Sequence, residues 1–215
     1  MTTLLIATRN AHKVGEIQAI LGAPFGFLTL NDFPAAPKVV EDADTFASNA
    51  TKKAVELARW LQDRNAGRAP APDYVLADDS GLEVDALNGA PGVHSARFAA
   101  GDGHENSPDA ANNAKLLRLL RDVPLERRTG RFRCVVALVP MGEPAARIFD
   151  GACEGRIQLA ASGHGGFGYD PLFVPDGLGQ SFAELGEEVK NRLSHRARAL
   201  AKLKAFLDGA RSERG

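Results

Sequence analysis

The chain has almost no net charge, almost no cysteine and no long apolar run. Its 26 lysines and arginines against 27 aspartates and glutamates give a formal charge of −1. No global basic field therefore exists to draw in a nucleic-acid polymer. A small anionic ligand is still allowed, because it needs only a local cluster of donors. The two cysteines, Cys134 and Cys153, sit in apolar, strand-like surroundings. They read as reduced packing residues, since a core of 215 residues does not need a disulfide staple. The opening MTTLLIATRN is too short an apolar run for a signal peptide or a membrane span. The expectation is a cytoplasmic protein with no membrane partner. Repeats, heptads and low-complexity tracts are missing, as is a GxxxxGK(S/T) phosphate loop.

What is present is an alternation of short apolar runs and helical patterns. Residues 3–7 (TLLIA) read as a buried strand, followed by a helix with Asn10 as its N-cap and Gly22 as its stop. Residues 26–30 suggest a second strand. Over 45–62 an apolar stripe of Phe46, Ala50, Ala54, Leu57 and Leu61 marks a strong helix. The Gly/Pro/Ala-rich stretch 65–73 is a surface loop. A strand over 74–77 is expected to end in ADDSG, and a helix over 107–121 to begin with Ser107 as N-cap and Pro108 at its first position. Residues 131–139 and 145–158 read as long strands joined by a turn at 141–144, and residues 194–207 as a closing helix with Ser194 at its N-cap. The class is α/β with a mixed sheet, in a single domain over residues 1–215.

Four polar clusters lie at the ends of apolar elements, each with a plain structural alternative. In TRNAHK (8–13), a strand-to-helix turn sets hydroxyl, amide and ammonium donors beside open helix N–H groups, which suits a phosphate. The alternative is an ordinary N-cap with a solvated lysine. In DDSG (78–81), adjacent carboxylates cannot both be buried and ionised without a cation nearby, and strand alternation sends them to opposite sides. Such oxygen ligands suit Mg²⁺; the alternative is an Asx turn. The acids of VVEDAD (39–44), with Asn49 and Lys53 after them, could simply favour a helix N-terminus. In KNRLSHR (190–196), His195 and Arg196 fall in the first helical turn, an unfavourable place for cations. That penalty suggests a compensating anion or acceptor; the alternative is that both side chains are solvated.

One further stretch, SGHGGFGYDPLF (162–173), carries four glycines with Phe167, Tyr169 and Asp170. Glycine lets the backbone approach a ligand closely, and the aromatics offer faces on which a purine could stack. The alternative is a Gly-rich hairpin with core aromatics.

Read in order, TxNxxK, the acid ahead of TFxxNAxxKA, ADDSGLxVxALxGxPGxxSAR, GFGYDPLF and KxxxSHR resemble the inosine triphosphate pyrophosphatase family from about Leu4 to Leu207. The resemblance implies an elongated mixed sheet with flanking helices forming two lobes around a central nucleotide cleft, Mg²⁺ dependence, a homodimer, and hydrolysis of dITP, ITP and XTP to monophosphate and pyrophosphate. By the family pattern Thr8, Asn10 and Lys13, with Arg9, Ala11 and His12 in the same turn, would hold the triphosphate, assisted by Lys53. Asp79 would be general base and metal ligand, with Glu41, alone or with Asp42, in the second metal role. Ser80 would touch substrate, Phe167, Gly168, Tyr169 and Asp170 would enclose the base, and Lys190, His195 and Arg196 would complete its pocket. The chain departs from the family pattern at Val40, where an acid is common, at Ser48 before Asn49-Ala50, and at Arg9, expected to add a phosphate donor or point outward. Two rival readings are a pyrophosphatase for modified pyrimidine or 7-methylated nucleotides, and a non-catalytic nucleotide-binding module.

Overall fold

The computed structural model describes residues 1–64, 71–100, 105–143 and 145–212. Six strands, β1 (Thr3–Ile6), β2 (Gly26–Thr29), β3 (Tyr74–Val84), β4 (Thr129–Pro140), β5 (Arg147–Ile157) and β6 (Phe173–Pro175), form one sheet in the order β2-β1-β3-β4-β5-β6. β1 runs parallel to β2 and to β3, whereas β5 and β6 are antiparallel, so the sheet is mixed as expected. Among the described residues five α-helices accompany it: α1 (Ala11–Leu21), α2 (Phe46–Arg64), α3 (Asp109–Leu119), α4 (Phe182–Leu193) and α5 (His195–Ser212). Among the described residues no helix is long and apolar enough to cross a membrane.

The chain divides into two compact units, the first made of residues 1–79, 134–150 and 198–215, the second of residues 80–133 and 151–197. The first has a core of Leu4, Ile6, Ile17, Leu21, Leu76, Cys134, Val136, Leu138 and, from α5, Leu200, Leu203 and Leu207. The second is built on Leu82, Val84, Leu116, Leu120, Phe132, Cys153, Ile157, Leu172, Phe173 and Phe182. Both cysteines are free thiols within these cores. In the second unit the buried Arg128 guanidinium donates to the carbonyls of Leu120, Val123 and Gln158, satisfying acceptors left open where α3 ends.

Several boundaries differ from the sequence reading. β3 does not stop at Ala77 but runs unbroken through DDSG to Val84. Leu82 and Val84 carry the strand into the second core, and that burial outweighs the turn propensity of Asp and Gly. α3 starts one residue late: Pro108 is extended (φ −55°, ψ 139°) and is itself the N-cap, while the Ser107 N–H is spent on the Ala96 carbonyl. β6 and α4 were not anticipated. The cap of α5 is as read, Ser194 Oγ accepting from Ala197 N. Thr45, read as the first residue of α2, instead precedes it, its Oγ1 accepting from Ser48 N. Most of the 65–73 loop, and Pro144 of the expected 141–144 turn, lie outside the described residues.

Candidate active site

The sequence-predicted residues fall into two sets, one in each unit. In the first unit, β1 delivers the chain into the turn Thr8–Asn10, and α1 leaves it. Asn10 Oδ1 accepts from Lys13 N at 3.2 Å and Thr8 Oγ1 accepts from Asn10 N at 3.1 Å, so both side chains shape the start of α1. Ala11 and His12 are exposed on its first turn. Arg9 is exposed, and its Nη2 donates to the Ala36 carbonyl at 2.8 Å. Lys13 reaches from α1 to an ion pair with Asp78 on β3, whose other oxygen accepts from the buried Cys134 thiol at 3.1 Å.

Lys53 projects from α2 and donates to the Asp78 backbone carbonyl at 2.6 Å and to Glu41 Oε2 at 3.1 Å. The two lysines are the cations that adjacent buried carboxylates on one strand require. Asp79, only 6% exposed, carries the chemical interest of this set. Its carboxyl is raised to about 6: burial pushes it up most, Lys53 and Lys13 pull it down, and Glu41 and Asp78 add to the rise. A carboxylate with that value is ionised at neutral pH yet basic enough to accept a proton. Asn49, next on α2, holds the preceding segment by bonding both the N–H and the carbonyl of Ala43. Val40 is exposed.

Among the described residues no group of three His, Cys, Asp or Glu side chains could hold a metal alone. Asp79 and Glu41 nonetheless fit Mg²⁺, which takes one or two carboxylates and completes its shell with water and phosphate oxygens.

In the second unit, Phe167 is the half-buried aromatic of the glycine-rich loop. Lys190 Nζ lies 4.3 Å from its ring centroid and the Arg196 guanidinium 5.9 Å, so two cations lie against this ring. Lys190 pairs with Asp170 at 2.5 Å, both almost wholly buried, and Asp170 Oδ2 also accepts from Phe167 N at 2.8 Å. Arg196 Nη2 donates to Ser80 Oγ at 2.9 Å, and His195 stacks on Phe132 at 4.7 Å between centroids. His195 and Arg196, in the first turn of α5, are both buried rather than solvated.

Two expectations for this loop change. Tyr169 lies within the second core, and its hydroxyl donates to the Ser95 carbonyl at 2.8 Å, so it anchors the loop and offers no open face. Two of the glycines are required by the loop's own packing. At Gly163 (φ 79°) a Cβ would lie 2.5 Å from the Ala183 carbonyl carbon, and at Gly166 (φ 74°) it would collide with the Asp170 carboxylate.

Comparison with known proteins decides the lineage. The description "Ham1 family" matches residues 4–206. The chain belongs to the Ham1 family. Relatives called dITP/XTP pyrophosphatase include one from Geobacter sulfurreducens, 51% identical over 208 residues and covering 96% of this chain and 97% of its own. One from Shouchella clausii is 46% identical over 210 residues, covering 97% and 98%. The solved Ham1 protein of Staphylococcus aureus superposes with a TM-score of 0.81 at 34% identity, covering 97% of this chain and all of its own.

On this Ham1 framework, sequence reasoning missed Ser95, which accepts from Leu82 N at 2.9 Å and donates to the Gly92 carbonyl, besides receiving Tyr169. It also missed α4, whose signal was present: Ser181 and Glu184 form a capping box, the S-x-x-E spacing that opens a helix.

Proposed function

We propose that this chain hydrolyses deaminated purine nucleoside triphosphates (dITP, ITP and XTP) to the monophosphate and pyrophosphate, keeping the nucleotide pool clean. The observation that carries this is Asp79, a buried carboxylate with a raised pKa between Lys13 and Lys53, in a chain whose Ham1 relatives are called dITP/XTP pyrophosphatases. A pure nucleotide-binding module needs no such poised base beside cations.

The polyphosphate belongs to the first set. The positive end of the α1 dipole, with Thr8, Asn10 and Lys13 around it, favours an anion, and Lys53 adds a second positive charge. Asp79 orients a water and takes its proton as the oxygen attacks the α-phosphorus, and pyrophosphate leaves. Asp79 and Glu41 are the residues that would hold Mg²⁺, whose contribution when bound is to neutralise phosphate charge.

The base belongs to the second set. Phe167 supplies a stacking face, worth roughly 1–3 kcal/mol for a base. Around it Lys190, His195 and Arg196 make a donor-rich edge, which accepts the O6 of hypoxanthine or xanthine. Adenine presents an amino donor there and leaves buried donors unmet, an expensive mismatch.

The reading extends to a cytoplasmic homodimer, which sedimentation of the purified chain checks. The deciding experiment is Mg²⁺-dependent pyrophosphate release from ITP, XTP, dITP, ATP and GTP. Release from the first three and little from the last two is expected; guanine also carries O6, so its exclusion requires a further element directed against its 2-amino group. Equal release from ATP and GTP sinks the O6-reading edge, and no release from any sinks the hydrolase.

A further inference from the structure

The backbone of Gly168, next to the stacking face of Phe167, is held from both sides by one helix. Asp109, in the first turn of α3, accepts from Gly168 N with Oδ2 at 2.6 Å. Asn113, one turn later on the same face, donates from Nδ2 to the Gly168 carbonyl at 3.0 Å. Gly168 has φ +64°, a conformation that needs outside support if the loop is to keep one shape. The amide of Asn113 is held there at a cost, because its Oδ1 is buried and has no hydrogen-bond partner among the described residues. A helix residue with an unmet acceptor is poorly explained by helix stability. Its nitrogen, bound 55 residues away in sequence, explains it better.

We propose that Asp109 and Asn113 are positioning residues for the purine: they clamp both polar groups of Gly168 and so fix the Phe167 ring for stacking. The proposal rests on reading Phe167 as the face for the base. Neither side chain is assigned a contact with substrate; each acts through the loop. The clamp should therefore govern how well the base end is gripped and leave the polyphosphate end untouched.

The test uses the full-length Asp109→Ala, Asn113→Ala and Asp109→Asn variants, with ITP kinetics, inhibition by inorganic tripolyphosphate, and amide exchange over residues 166–170 without nucleotide. Each alanine variant should raise KM for ITP about tenfold, the scale of one short hydrogen bond to a backbone group, with kcat within about twofold. Tripolyphosphate inhibition should not change, exchange over 166–170 should quicken, and Asp109→Asn, which keeps an acceptor, should recover most of the loss. Unchanged KM in both alanine variants overturns the proposal, as does a parallel weakening of KM, kcat and tripolyphosphate inhibition. If the unmodified protein releases no pyrophosphate from ITP, the functional reading fails separately. The exchange measurement then decides alone, with unaltered exchange overturning the clamp.

Discussion

Lys13 and Asp78 form an ion pair in which the Asp78 side chain is wholly buried while the Lys13 side chain keeps 16% of its exposure. The pair joins α1 to β3, and the Cys134 thiol supports it from below. Removing one member of a buried pair strands the other charge, at a typical cost of about 3–5 kcal/mol. Asp78→Ala should therefore lower the unfolding free energy by about 3 kcal/mol and loosen triphosphate binding through the released Lys13. Urea unfolding reads the first effect; a loss below about 1 kcal/mol would show the pair to be dispensable.

Asp79→Asn should abolish turnover while leaving nucleotide binding measurable by calorimetry. Near-normal rates would move the base to Asp78 or Glu41. The same variant has a stability signature. The folded-state carboxyl is raised from 3.8 to about 6, so the folded chain holds the proton more tightly than the unfolded one. Stability is therefore lost as pH rises from about 4 to about 6, by on the order of 3 kcal/mol. Metal-free Asp79→Asn should melt higher than the parent at pH 8 and show a flatter profile across that window. Identical profiles would contradict the burial of this group.

Tyr169→Phe separates an anchor from a substrate contact. Losing the hydroxyl that donates to the Ser95 carbonyl should cost about 1–2 kcal/mol of stability and leave KM for ITP nearly unchanged. A large KM effect with unaltered melting would return Tyr169 to the base pocket.

Gly15 occupies the exposed face of α1, and a Cβ there would meet nothing within 4 Å. Gly15→Ala should stabilise the chain by about 0.5–1 kcal/mol, checked by chemical unfolding. No gain would indicate that the glycine serves the phosphate end instead.

Much of this was legible before any coordinates. The stripe of α2, the cap at Ser194 and the strands on either side of residues 141–144 follow from periodicity and capping chemistry, which are local. The errors lie where distant packing decides. Nothing local to DDSG says that β3 continues, because the reason is Leu82 and Val84 entering a second core. Tyr169 looked like an aromatic face because its sequence neighbours are glycines, whereas its true neighbour is Ser95, 74 residues away. α4 was the one avoidable omission, since its capping box is a local signal.

The glycine-rich loop behaves like a casting made against its own mould. At Gly163 and Gly166 the mould is backbone and a buried carboxylate, neither of which can step aside. At Gly179, outside that mould, a Cβ would meet nothing within 4 Å and no left-handed backbone is required. A library randomised at all three codons and selected for function should return glycine alone at 163 and 166 and a broad range of residues at 179. In mutational terms the loop is brittle at two points and soft close by, so family variation in this region should enter through its edges and spare its centre.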